Sequence, residues 1–116
     1  MLQRLLSTFA RIEGVSNAVV LDAEMAPVAS FSSDEGASLD VACGIAGILR
    51  EGGRSASAVD LGDCDQIWIE GSAGNLLLSP LRTGHTLLVS SHGEANLGRL
   101  RHEMKARAPV IVDLMR

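Results

Sequence analysis

Three short apolar runs constrain this chain more than any other feature: Gln66-Ile67-Trp68-Ile69-Glu70, Asn75-Leu76-Leu77-Leu78-Ser79 and His85-Thr86-Leu87-Leu88-Val89. The joints between them are Gly71-Ser72-Ala73-Gly74 and Arg82-Thr83-Gly84, both of turn composition. Runs this short with turns this tight form an antiparallel meander. An apolar helical pattern lies on each side of it, so the layout describes a small sheet covered by helices.

A chain of 116 residues is one domain. A domain of that size buries roughly 65% of its unfolded surface, enough for a core without staples. With one Trp, two Phe and no Tyr, that core is aliphatic, and stacking on nucleobases is nearly unavailable. A net charge of −4 repels phosphate backbones as well, so no nucleic-acid partner is expected. Two cysteines, Cys43 and Cys64, make no disulfide framework and read as reduced thiols of a cytoplasmic protein. The N-terminus lacks the continuous apolar run of a signal peptide, and no stretch approaches the length of a membrane span.

Leu2, Leu5, Leu6, Phe9 and Ile12 mark one stripe of an amphipathic helix, with Gly14 placed for a left-handed C-cap. Val15 to Leu21 reads as a strand, Asp22 to Ala26 as a turn, and Pro27 to Phe31 as a short edge strand. Ser32-Ser33-Asp34-Glu35 supplies capping oxygens and first-turn carboxylates for a second helix. That helix is expected to run to about Arg50 and to stop at Gly52-Gly53. A polar connector follows, with a possible strand at Ser57 to Leu61. A third helix opens at Glu94-Ala95-Asn96, turns Leu97, Leu100 and Met104 inward, and is expected to end at Pro109. The organisation is one domain over residues 1–107 and an apolar tail over 108–116.

The second helix is apolar over too wide an arc. At about 100° per residue, Leu39, Val41, Ala42, Cys43, Ile45, Ala46, Ile48 and Leu49 cover roughly 220°. A helix on one sheet needs a stripe of about 100°. The excess needs a second surface: a second copy of the same helix in a symmetric dimer, or a deeply sunk central position in a monomer. The dimer is the reading we adopt, with Val41, Ile45 and Ile48 toward the partner and Leu39, Ala42, Ala46 and Leu49 toward the subunit's own sheet. Such a dimer buries on the order of 1,200–2,000 Å². Ile67, Trp68 and Ile69 join the interface, because a strand edge with large apolar side chains is one that monomers usually blunt. The narrow polar side, Asp40, Gly44, Gly47 and Glu51, is left for a further partner, which glycines would let approach the backbone closely.

Chemical motifs are scarce. His85, His92 and His102 have no metal-ligand spacing with either cysteine. Gly52-Gly53 follows a helix, the wrong end for a phosphate. Ser90 and Ser91 precede His92, but adjacency in sequence makes no nucleophile–base pair. Asp60, Asp63 and Asp65 lack the ligand order of a calcium loop. No catalytic residue, metal or cofactor is expected.

The element order resembles the roadblock fold of dynein light chains and their bacterial relatives. Ile12-Glu13-Gly14-Val15 resembles that family's helix-to-strand corner and Val19-Val20-Leu21-Asp22 its first strand. Leu78-Ser79-Pro80-Leu81 and Leu87-Leu88-Val89 are similar to its fourth and fifth strands, and Ala95-Asn96-Leu97-Gly98 to the opening of its last helix. The family usually has Gly near Met25, so a different turn type or a longer loop is expected there. The resemblance implies an α+β, profilin-like fold in the order α-β-β-α-β-β-β-α. Its five-stranded antiparallel sheet would carry helices on both faces and continue across a homodimer. It further implies a non-enzymatic adaptor or regulator that binds a Ras-like small GTPase and modulates its nucleotide cycle. Two other readings stand beside it: a scaffold subunit of a motor or membrane-associated complex without a GTPase, and a small-ligand sensor domain.

Overall fold

Five strands form one antiparallel sheet in the order β2-β1-β5-β4-β3 in a computed structural model that describes residues 1–32 and 45–115. The strands are β1 (Val15–Leu21), β2 (Pro27–Ser32), β3 (Ile67–Glu70), β4 (Asn75–Pro80) and β5 (Thr86–Ser91). The helices are α1 (Leu2–Ser7), continued by a 3-10 turn over Thr8–Arg11, α2 (Ile45–Ala58) and α3 (Leu97–Leu114). The alternation along the meander sets the two faces. Leu77, Leu87 and Val89 join Ala18 and Val20 beneath Leu6 and Phe9 of the α1 layer and Leu100, Met104 and Ile111 of α3. Leu78 and Leu88 join Val19 and Leu21 on the opposite face, with Ile48, Leu49, Ile67 and Leu76 packed against them. The expected α+β architecture, one antiparallel sheet with helices on both faces, is therefore present.

β1 is buried along its whole length and carries the two irregularities of the sheet. Val15 pairs with Ser91 while Asn17 pairs with Ser90, so Ser16 is an extra residue. That bulge lets Val15 and Ala18 serve the same core face, which strict alternation would forbid. Two polar ties close this end of the sheet: Asn17 Nδ2 donates to Ser90 Oγ at 2.9 Å and Asn75 Nδ2 to the His92 carbonyl at 2.9 Å.

The turns keep strand spacing short by placing particular residues at positive φ. Gly14 takes φ +92°, and a Cβ there would stand 2.9 Å from Ala95 Cβ. Met25 occupies the left-handed region itself, at φ 64°. The hairpin around it is closed by Asp22, whose Oδ1 accepts from Glu24 N and Ala26 N, each at 2.9 Å. The expected change of turn near Met25 therefore resolves as an aspartate-organised turn with a non-glycine residue at the left-handed position.

Both later helices outrun the stops read from sequence. α2 continues through Gly52-Gly53 to Ala58 and leaves no strand at Ser57 to Leu61. Its stop is Asp60, at φ 59°, with Asp60 N donating to Ser57 O and Leu61 N to Ala56 O, a Schellman pattern. Gly52 has a packing reason to lie inside the helix: a Cβ there would meet Ile67 Cδ1 at 2.5 Å. α3 opens as expected, with Asn96 Oδ1 accepting from Arg99 N at 3.0 Å, but it runs through Pro109 to Leu114. A proline inside a helix costs about 3 kcal/mol. Ile111, fully buried in the α1–α3 core, offsets that cost by an amount of similar size.

Arg107 ties α3 to the α1 layer. Its Nε donates to Thr8 Oγ1 at 2.8 Å, its guanidinium lies 4.9 Å from the Phe9 ring centroid, and it pairs with Glu103 one turn back. The hydrogen bond from Arg107, aided by its charge and by those of His102 and Arg99, holds the Glu103 carboxyl below its ordinary value of 4.5.

Two predictions follow from this geometry. Gly14→Ala should lose about 2 kcal/mol or more in urea unfolding, through strain at φ > 0 and overlap with Ala95, whereas Met25→Gly should be neutral or stabilising by up to about 1 kcal/mol. The depressed Glu103 carboxyl contributes stability that is present above its unfolded value and lost as pH falls through its folded value. The advantage of the wild type over Glu103→Gln, measured by thermal unfolding, should therefore be constant near neutrality and shrink progressively below pH 4.5.

Candidate functional site

The two edges of the sheet differ in what they offer a partner. At β2, Pro27 has no N–H to give. Gln3 of α1 lays its amide on Ser30: Nε2 donates to the Ser30 carbonyl, and Oε1 accepts from Ser30 N at 3.3 Å. The side-chain amide thus imitates a neighbouring strand and closes that edge at its middle. β3 has no such cover among the described residues. Trp68 is 37% exposed and Ile69 41% exposed, on opposite faces of the strand. The strand is only four residues long, yet each of its faces carries a large apolar side chain.

The face of the sheet under α2 is incompletely covered. Ile48 and Leu49 reach the cluster of Val19, Leu21, Leu78 and Leu88, but none of the described α2 side chains is buried in the protomer. Ile69, exposed beside Leu76 at the open edge, extends this apolar strip to the rim of the sheet. By contrast, the α1–α3 side buries Leu6, Phe9, Leu100, Met104 and Ile111 completely.

The predicted interface residues fall on this strip only in part. Ile67 and Ile69 share the α2 face, while Trp68 points to the other side and lies under Arg101 of α3, 5.9 Å from guanidinium to ring centroid. Ile48 packs on its own sheet together with Leu49 and stays half-buried there. The helical wheel shows an arc, and it carries no information on which part of the arc meets the sheet. Ile45 is the first described residue of α2, and Val41 lies outside the described residues.

Of the expected partner surface, Gly47 has open space where a Cβ would stand. Glu51 is exposed and pairs with Arg54 at 3.4 Å, a solvated contact of little energetic consequence. Asp40 and Gly44, like Cys43, lie outside the described residues. Ser90 and Ser91, beside His92 in sequence, are engaged instead by Asn17 and Asn75. His85 Nδ1 meets Thr83 Oγ1 at 2.9 Å in the β4–β5 turn. Among the described residues no three His, Cys, Asp or Glu side chains come together as a metal site, and no helix is long and apolar enough to cross a membrane.

Sequence reasoning missed Gln3 and Asp60. Gln3 acts on a strand 27 residues away, so no local pattern marks it. Asp60 was legible in principle, since Asp tolerates the left-handed conformation that ends a helix, but the glycine pair before it is the louder signal.

A chain with this fold and this open edge belongs to the Roadblock/LC7 domain family, whose model matches residues 1–91. Solved structures with the same fold include a Roadblock/LC7 domain from Streptomyces avermitilis, 24% identical, covering 97% of this chain and 96% of that one, with TM-score 0.76. MglB from Myxococcus xanthus superposes with TM-score 0.84 at 14% identity, covering 98% of this chain and 94% of that one. The gliding protein MglB of Thermus thermophilus gives TM-score 0.82 at 15% identity, over 95% of this chain and 84% of its own. No curated protein sequence matches the chain.

Proposed function

We propose that this roadblock domain works as a homodimeric adaptor without catalytic groups of its own, binding a Ras-like small GTPase and modulating its nucleotide cycle. The observation that carries the reading is the incomplete cover of one sheet face and one sheet edge, in a domain whose other face and other edge are closed. A second copy that places its α2 and β3 against those of the first would bury both uncovered surfaces at once. Val41, Ile45, Ile48, Ile67 and Ile69 would contribute on the α2 side and Trp68 on the other. The GTPase is what membership of the roadblock family implies, and the likeness to MglB supports it at the level of fold.

In such a dimer the polar side of α2, with Asp40, Gly44, Gly47 and Glu51, forms a broad shallow platform about the two-fold axis. The carboxylates would receive Lys or Arg from the partner and steer its approach more than set its affinity. A large partner near the axis would block the second equivalent site, giving one GTPase per dimer. The protein's effect on nucleotide turnover would come from reshaping the partner's switch loops, since no group placed for that chemistry is visible in the sequence.

The testing experiment combines mass and capture. Light scattering should give a dimer mass at micromolar concentration, and Ile69→Lys should give a folded monomer, because the substituted side chain is half-exposed in the protomer and harmful only at a contact. Wild-type bait should then retain a small GTPase from lysate loaded with GDP or a GTP analogue. Charge reversal at Asp40 and Glu51 should weaken that capture while the mass stays dimeric. Val110→Asp, on the exposed outer turns of α3, should not. Recovery of motor or membrane-complex subunits without any GTPase would overturn the GTPase assignment in favour of a scaffold.

A further inference from the structure

Gln66 carries a donor that the protomer leaves unused. Its Oε1 accepts from Trp68 Nε1 at 3.2 Å. An indole N–H can only donate, so this contact fixes which end of the amide is oxygen. Nε2 is then buried with no acceptor among the described residues, the kind of unmade hydrogen bond that is expensive to leave. Arg101 and Lys105 of α3 line the same cleft as Gln66 and Trp68. Asp63 and Asp65 also border that cleft, yet neither reaches the free amide. A buried amide donor with two cations beside it, next to an open strand edge, is a site for a carboxylate.

The backbone limits where such a carboxylate can come from. Gly71 N donates to Gly74 O at 2.8 Å and closes the β3–β4 hairpin. Antiparallel bonding alternates from there, so Ile69–Leu76 and Ile67–Leu78 are the hydrogen-bonded pairs. The backbone groups of Gln66, Trp68 and Glu70 therefore point away from β4. A second copy adding antiparallel about a two-fold axis must pair these outward residues with outward residues. Two registers keep so short a strand overlapped. One sets Trp68 opposite its own twin, with Gln66 opposite Glu70. The other sets Ile69 on the axis, with Trp68 opposite Glu70.

We propose that a second copy of this chain pairs through β3 in the first register, and that Glu70 of the partner subunit accepts the free Gln66 amide beside Arg101 and Lys105. The proposal rests on the dimer reading above and adds its register and its polar lock. Glu70 is exposed in the protomer and stands on the same face as Gln66 and Trp68. Directly opposed residues bring their Cβ atoms within about 4.5–5.5 Å, so rotation of the Gln66 side chain, which turns the buried Nε2 outward, brings the amide to the carboxylate. Two-fold symmetry makes the lock twice. The alternative register faces Glu70 with the Trp68 ring and leaves Gln66 unsatisfied, so the polar groups select against it.

Disulfide trapping decides between the registers. In a Cys43→Ser, Cys64→Ser background, Trp68→Cys and Ile69→Cys are oxidised under identical conditions. Hydrogen-bonded antiparallel neighbours have Cα atoms about 5.5 Å apart, inside the disulfide range. Trp68→Cys should form covalent dimer at least about tenfold faster than Ile69→Cys. Faster trapping of Ile69→Cys, or trapping of neither in protein that keeps a dimer mass, overturns the register. A monomer mass for the cysteine-free background defeats the dimer reading itself. If Trp68→Cys does not fold, the cycle of Gln66→Ala and Glu70→Gln decides. Each should weaken the dimer about tenfold or more, with the double variant little worse than either single one; independent, additive losses overturn the lock.

Discussion

A sheet of five strands has two edges, and the way each edge is treated governs the rest of this molecule. Unpaired strand backbone is a template for association, so a protomer meant to stand alone blunts both. Among the described residues only β2 is covered, by Pro27 and by the Gln3 amide lying on Ser30. β3 is left with outward backbone groups and with apolar side chains on both faces. The same asymmetry holds between the two faces of the sheet. α1 and α3 bury their inner residues completely, while α2 lies on its side half-covered. The uncovered face and the open edge adjoin at Ile67 and Ile69, so one partner surface can serve both.

The features that position α2 are local and specific. Gly52 lets the helix lie against Ile67, where any side chain would intrude. Asp60 then stops the helix through a left-handed cap, and the acidic connector brings the chain to the start of β3. On the other face, Arg107 joins α3 to Thr8 and Phe9, and Ile111 anchors the turns beyond Pro109. One layer is built for internal closure, and the other for contact with something outside the protomer.

The sheet was legible in the sequence because its signals are local. The meander is written in apolar runs and turn residues, and Asn96 marks a helix start that the chain uses; Gly14 takes its positive φ in the turn that follows the extended cap residue Ile12 and is not itself the cap. The misread boundaries are those where packing overrides a local preference. Gly52-Gly53 looks like a stop, yet the helix runs through it, with Gly52 lying against Ile67. Pro109 looks like a stop and is carried by the burial of Ile111. The orientation of α2 was also hidden, since an apolar arc wider than one surface needs does not say which part faces inward; Ile48 faces its own sheet. The Gln3 clamp and the unpaired Gln66 amide depend on contacts and geometry that no periodicity records.

Amide hydrogen exchange along the two edges tests the central claim most directly. The β3 amides of Trp68 and Glu70 point away from β4, so within one protomer nothing but solvent should hold them. If the sheet continues into a second copy, their protection should rise with protein concentration and saturate at the dimer, while exchange at the clamped Ser30 amide of β2 stays independent of concentration. Trp68 and Glu70 amides that exchange freely at every concentration, in protein whose mass is that of a dimer, would contradict the account.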